Sequence, residues 1–160
     1  MSALKFTIAE KLAFKQKLVA TGEAVLRQRI QFGIQSISEV QQAANAEEKS
    51  SAGDKYETGR AMSHLEKDML SRQLQANQSE LHAFSAVSAT NIYDSVQPGS
   101  VVHCTTVVFF IAAGLGKILI DNSPVYFLSP AAPVTLQLLN KKPGHQFLFN
   151  NVTTVIAEVF

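Results

Sequence analysis

Two patterns of apolar residues divide this chain near residue 90. Before that point apolar residues recur every three or four positions. Val19, Gly22, Leu26, Ile30, Ile34, Ile37, Val40 or Gln41, and Ala44 form one series; Met62, Leu65, Met69, Gln73 or Leu74, Leu81 and Phe84 form a second. That spacing predicts one apolar face on each of two helices. Between them, Lys49-Ser50-Ser51-Ala52-Gly53 is a short polar, Gly-containing break. It predicts a tight turn between antiparallel helices. Ser51 and Asp54 fit a capping box at the start of the second helix, with Asp in place of the usual Glu. Arms of roughly 30 to 40 residues, at about 1.5 Å per residue, predict a rod on the order of 50 Å long. No third helical segment of that length is present, which favours a hairpin over a larger bundle.

Beyond residue 90 the pattern changes to short apolar runs separated by turn residues. Pro98-Gly99-Ser100 opens a run from Val101 to Ala112, and Gly114 and Gly116 precede Lys117-Ile118-Leu119-Ile120. Asp121 to Pro124 reads as a turn, followed by a strand over Val125 to Leu128. Pro133 suits the first turn of a short helix reaching Leu136, Leu138 and Leu139. Phe147 to Phe149, the turn Asn150-Asn151, and Val152 to Val159 complete the strands as a hairpin. The expected fold class is therefore α+β, with a helical hairpin over residues 1–90 and a small β domain over 91–160.

Composition sharpens this division. All five prolines, from Pro98 to Pro143, lie in the second part. A long proline-free stretch rich in Ala, Gln, Glu, Lys and Leu supports long helices. The net charge of +1 predicts neither a strong nucleic-acid field nor an acidic-substrate bias. A single cysteine, Cys104, excludes an internal disulfide and a Cys-rich zinc site, and suits a reduced compartment. Residues 1–10 lack the apolar core of a signal peptide. The most apolar stretch, Val101 to Ile120, is interrupted by His103, Thr105, Thr106, Gly114, Gly116 and Lys117 and does not read as a membrane span. A cytoplasmic protein with no membrane partner is expected.

Several residues invite chemistry but have simpler readings. Gly114-Leu115-Gly116 is followed by a β-like run, so it reads as a turn and not a phosphate loop. His64, His82, His103 and His145 lack zinc-ligand spacing. His103 and Cys104 are neighbours on a strand and point to opposite faces, and Cys104 reads as a small core residue. Lys11, Lys15, Lys17, Arg27 and Arg29 read as a solvated helix face.

Three C-terminal segments carry a resemblance to a known family. Pro98-Gly99-Ser100-Val101-Val102 is similar to the opening GS-x-V strand of the Gre transcript-cleavage factors. Ser129-Pro130-Ala131-Ala132-Pro133 is similar to their S-x-x-SP segment. Leu138-Leu139-Asn140-Lys141-Lys142-Pro143-Gly144-His145 resembles L-[LI]-G-K-x-x-G-D, with Asn140 and His145 as departures. Near the turn, the family pattern is D-x-x-E-N-x-x-Y-x-x-x-R. Tyr56 and Arg60 match its end, whereas Lys49, Ala52 and Gly53 stand where the Asp, Glu and Asn belong.

The resemblance implies an N-terminal coiled coil and a small C-terminal antiparallel β domain of FKBP-like fold. It implies a bacterial elongation regulator that is not itself an enzyme but acts on RNA polymerase. The hairpin would enter the polymerase's secondary channel, and the protein would meet nucleic acid only through the transcription complex. In the family the acidic tip helps hold a second Mg²⁺ at the polymerase active site, so no tightly bound cofactor is implied. Two metals clamp the attacking and leaving oxygens of a phosphodiester, and Mg²⁺ requires hard carboxylate ligands. Here the two signature acids are not carried over. Glu47, Glu48, Asp54 and Glu57 remain near the turn, with Tyr56 and Arg60, as channel candidates. Asp54 and Glu57 also suit a helix N-terminus electrostatically, whereas Glu47 and Glu48 oppose a helix C-terminus. Ser129, Pro130, Pro133, Lys141 and Lys142 are candidates for docking on the polymerase, beside apolar surface expected at Phe127 and Leu128. The alternative is an FKBP-like peptide-binding or prolyl-isomerase module with a coiled-coil arm, which requires an aromatic-lined pocket.

Overall fold

The computed structural model describes residues 6–48 and 53–160, with side chains at 6–46 and 58–160. Two long helices come first, α1 (Ile8–Glu48) and α2 (Gly53–Ser85). They are followed by β1 (Val101–Cys104), β2 (Val108–Ile111), β3 (Gly116–Ile120), β4 (Ser123–Leu128), α3 (Pro133–Leu138), β5 (Gln146–Phe149) and β6 (Val152–Val159). The α+β class is as expected. The turn predicted at residues 49–53, and Ser51 as a cap, fall largely outside the described residues. No described helix is long and apolar enough to cross a membrane.

The chain divides into two compact units: Ala24–His82, and the described residues up to Glu23 together with Ala83–Phe160. The first is a two-helix hairpin. Its seam follows Ile30, Gly33, Ile37, Val40 and Ala44 on α1, which are half-buried, and Ser63, Lys67, Leu70, Leu74 and Asn77 on α2, also half-buried. Leu74 packs close over Gly33, where an added Cβ would meet Leu74 Cδ1 at 3.5 Å. Lys67 Nζ donates a 2.8 Å hydrogen bond to Gln41 Oε1 across the seam.

Part of the expected apolar series is displaced from this seam. Ile34 is 47 % exposed, and Met62, Leu65 and Met69 are 65 %, 70 % and 53 % exposed. Met62 and Met69 each precede a seam residue by one position, so both phases satisfy a three-four spacing. A two-helix hairpin buries only one narrow stripe per helix. Here the stripe through Leu70 and Leu74 is the one buried.

The second unit is built around a six-stranded sheet in the order β3-β4-β2-β1-β6-β5. The sheet is mixed, not antiparallel as expected: β2 and β4 run parallel, pairing Phe109 with Tyr126 and Ile111 with Leu128. The chain from β2 crosses to the edge as β3 and returns through a two-residue hairpin to lie beside β2. That hairpin turns at Asp121 and Asn122, both at positive φ, and the β5–β6 hairpin turns likewise at Asn150 and Asn151. These are type I′ conformations, which Asn and Asp tolerate.

Alternation along the strands gives the sheet two packed faces. On one, Val102, Cys104, Phe109, Ile111 and Ile156 form a core with Leu138 of α3 and Val96 of the connecting segment. On the other, Phe84 of α2 stacks edge-on against Phe110, which does the same to Phe127, at ring separations of 6.3 Å and 5.4 Å. Gly22 of α1 closes this face. A Cβ there would lie 2.5 Å from Phe84 Cζ and 3.1 Å from Phe127 Cε2. The helix therefore approaches the aromatic layer at a distance only glycine permits.

The start of α1 is a capping box. Thr7 Oγ1 accepts from the Glu10 N–H at 3.2 Å, and the Thr7 N–H donates to Glu10 Oε2 at 2.9 Å.

Candidate functional site

The end of the hairpin carries the channel candidates. Glu47 and Glu48 are the last residues of α1, and Asp54, Tyr56 and Glu57 lie in the first turns of α2. Lys49 and Ala52, which stand where the family has its acids, lie outside the described residues. Arg60 is exposed one turn further along α2.

Arg60 belongs to a basic group. Arg60, His64 and Lys67 are spaced four and three residues apart and share one side of α2. With Ser63 they line a recess completed by Val40, Gln41 and Ala44 of α1. Among the described residues, no carboxylate lines this recess. The other side of the seam is lined by Ser36, Glu39, Val40 and Ala43 opposite Ser63, Glu66 and Leu70. The hairpin thus has a basic side and a weakly acidic side. No group of three or more His, Cys, Asp or Glu side chains suited to a metal ion occurs among the described residues.

The docking candidates surround α3, a short helix with Pro133 in its first turn. Ser129 and Pro130 are half-buried, while Pro133, Lys141 and Lys142 are exposed. Ser129 has a local structural role. Its hydroxyl accepts from the Ala131 N–H at 3.2 Å, and its carbonyl accepts from the Thr135 hydroxyl at 2.8 Å. The segment after α3 grips the connecting segment: Asn140 N–H donates to the Val96 carbonyl at 2.8 Å, and Val96 N–H to the Lys141 carbonyl at 2.9 Å. Asn140 has φ +65°, the left-handed region. Asn tolerates this better than other non-glycine residues. The apolar surface expected at Phe127 is absent, since Phe127 is 1 % exposed. Leu136, on α3, is the exposed apolar residue of this region, at 59 %.

The aromatic residues of the sheet fill space against one another. Phe109 is buried, and Tyr126, Phe147 and Phe149 pack around it with ring separations of 6.1 Å, 6.2 Å and 5.1 Å.

The start of α1 departs from the solvated face expected for its lysines. Lys15 is fully buried, its Nζ 4.4 Å from the centre of the Tyr93 ring. Burial lowers its pKa to about 8. Lys11 Nζ lies 2.6 Å from Glu158 Oε1, in a pair largely withdrawn from water. Glu158 Oε2 is buried without a hydrogen-bond partner among the described residues. His103 is the cross-strand neighbour of Glu158, and the Phe6 ring packs on it at 5.4 Å. Burial pushes the His103 pKa down, and the Glu158 charge opposes this. Lys17 alone of the three lysines is well exposed, pairing with Asp121 at 2.6 Å. No sequence signal identified these groups, because their partners are distant in the chain. No protein-family model and no curated protein sequence matches this chain.

Proposed function

We propose that this chain is a Gre-like accessory factor of bacterial RNA polymerase, acting in the cytoplasm. In this reading the β domain docks on the enzyme and the hairpin end enters the secondary channel. The observation that carries it is the hairpin end. The second arm begins at Gly53, a few residues past Glu48, with Tyr56 and Arg60 in its opening turns. Asn140, a departure from the family pattern, stands at positive φ, a backbone form that glycine also adopts readily. Ser129 to Pro133, Leu136, Lys141 and Lys142 are the proposed docking surface of an FKBP-like domain.

The factor is not an enzyme in this reading, and any Mg²⁺ belongs to the polymerase. Delivery of a second Mg²⁺ requires carboxylates in position. With Lys49 and Ala52 at the signature positions, the hairpin occupies the channel and modulates transcription without promoting cleavage. Of the remaining acids, Asp54 and Glu57 suit the positive end of the α2 dipole, whereas Glu47 and Glu48 have no such electrostatic reason at the end of α1. The aromatic cluster around Phe109 is filled by its own rings, which weighs against a prolyl-isomerase pocket.

Stalled, backtracked elongation complexes test this directly. The expected result is slowed elongation with no stimulation of RNA cleavage by added Mg²⁺. Robust cleavage, abolished by Asp54→Ala with Glu57→Ala, would overturn the non-cleaving reading.

A further inference from the structure

The start of α1 is fastened to the sheet by an ion pair with a spare acceptor. Lys11 Nζ meets Glu158 Oε1 at 2.6 Å, and both side chains are largely withdrawn from water. Glu158 Oε2 is buried and has no hydrogen-bond partner among the described residues. A buried carboxylate oxygen without a donor costs free energy. Directly across the β1–β6 ladder from Glu158 stands His103. The imidazole is a neighbour of the carboxylate without yet being its partner.

A bulge in β6 creates this arrangement. His103 is opposite Glu158 and the next residue, Cys104, is opposite Ile156, so Ala157 has no partner in β1. The extra residue shifts the alternation of β6. Ile156 and Val159 therefore both enter the core on one face, while Glu158 reaches Lys11 of α1 on the other. His103 lies on that second face as well, since Val102 and Cys104 on either side of it point into the core.

The first turns of α1 close over this pair. The Phe6 ring packs edge-on against His103 at 5.4 Å, and Phe6 and Phe14 meet the Phe160 ring at 6.1 Å and 6.4 Å. Val108 of β2, the other cross-strand neighbour of His103, carries no charge. The charged groups beside His103 are thus Glu158 from β6 and, bound to it, Lys11 from α1. One carboxylate stands between two bases.

We propose that Lys11, Glu158 and His103 form a proton-operated latch: on taking up a proton from solvent, His103 draws Glu158 away from Lys11, and the first turns of α1 lift from the sheet. Docked, the imidazole is held neutral by burial, its pKa lowered from 6.5. Released, it meets water and an uncontested carboxylate, both of which favour the charged form. The released state therefore binds the proton more tightly, and release becomes more favourable as pH falls below 6.5.

Amide hydrogen exchange of the full chain, corrected for intrinsic rates, tests this without polymerase, so its outcome is separate from that of the channel reading. Between about pH 7.5 and about pH 5.5 the amides of Lys11 to Lys17 should lose protection by at least about threefold, and by more than those of β2. His103→Gln should abolish this loss. In Lys11→Gln the carboxylate is free for His103 without any release, so an NMR titration should find a higher His103 pKa than in wild type. This second variant carries the test where His103→Gln does not fold. An acid loss that persists in His103→Gln, a loss shared equally by β2, or a His103 pKa unmoved by Lys11→Gln would overturn the proposal.

Discussion

Lys15 Nζ donates a 2.7 Å hydrogen bond to the backbone carbonyl of Asn91. This bond ties the first part of α1 to the segment that leads from α2 into the sheet. The buried ammonium meets a carbonyl and an aromatic ring, and no carboxylate among the described residues is paired with it. A charge in this setting is held at a cost.

Stability should therefore depend on the ionisation of Lys15. Its pKa is about 8 in the folded chain and 10.5 in the unfolded reference. A base with a lowered pKa weakens the fold below the folded value, and the penalty is relieved as pH rises from about 8 towards 10.5. Cys104 acts in the opposite sense. Burial pushes its thiol up from 9.0 to about 12, so stability falls as pH rises above 9.0. Urea unfolding of wild type and Lys15→Met isolates the lysine. Lys15→Met should gain on wild type at about pH 7, and the gap should shrink between about pH 8 and 10.5. A gap independent of pH would contradict this.

Cys104 should be inert in the native state. The thiolate is the reactive form, and this thiol is both buried and held protonated near neutrality. A chromogenic disulfide reagent at about pH 8 should react only as fast as the chain unfolds, and stoichiometrically in denaturant. Rapid native labelling would show that the sheet opens locally at β1.

Gly22→Ala should destabilise the chain. Alanine favours a helix over glycine by about 1 kcal/mol, but the added methyl must displace the packed rings of Phe84 and Phe127. Overpacking of this kind costs about 1–3 kcal/mol, leaving a net loss of about 1–2 kcal/mol towards the upper end of that range. Gly33→Ala is the control, since its Cβ meets only ordinary contacts with Leu74. Denaturant midpoints should fall for the first and hold or rise for the second.

Acidification should loosen the packing of α1 on the sheet through His103. Burial lowers its pKa below the unfolded 6.5, so protonation disfavours the fold as pH falls below 6.5. Glu158 moderates the effect, being charged and beside it, while also held by Lys11. An NMR titration should find the His103 pKa below 6.5, and lower still in Glu158→Gln. An unchanged value in Glu158→Gln would exclude the coupling.

The parts of this fold that were legible in the sequence are those set by neighbours in the chain. Asp121-Asn122 and Asn150-Asn151 select their turns through backbone conformations that few residues tolerate. Pro133 marks a helix start for the same local reason. The phase of the hairpin seam was not legible, because Met62 and Ser63 both begin acceptable heptad series and only the position of α1 decides between them. Nor was the parallel β2–β4 pairing, which sets Phe109 directly beside Tyr126 although β3 separates the two strands in sequence. Lys15 looked solvated because its burial depends on Asn91 and Tyr93, which are distant in the chain. The candidate site was legible only through resemblance. Tyr56 and Arg60 carry that resemblance near the turn, whereas Asn140 departs from it and Lys49 and Ala52 stand where metal delivery would need carboxylates.

Purified bacterial RNA polymerase core enzyme, tested for binding at low salt, bears most directly on the central claim. The chain should co-elute with the enzyme. A photo-crosslinker in place of Tyr56 should label the walls of the secondary channel, and one in place of Leu136 the enzyme surface outside it. No co-elution at low salt, or cross-links that never enter the channel, would contradict the claim.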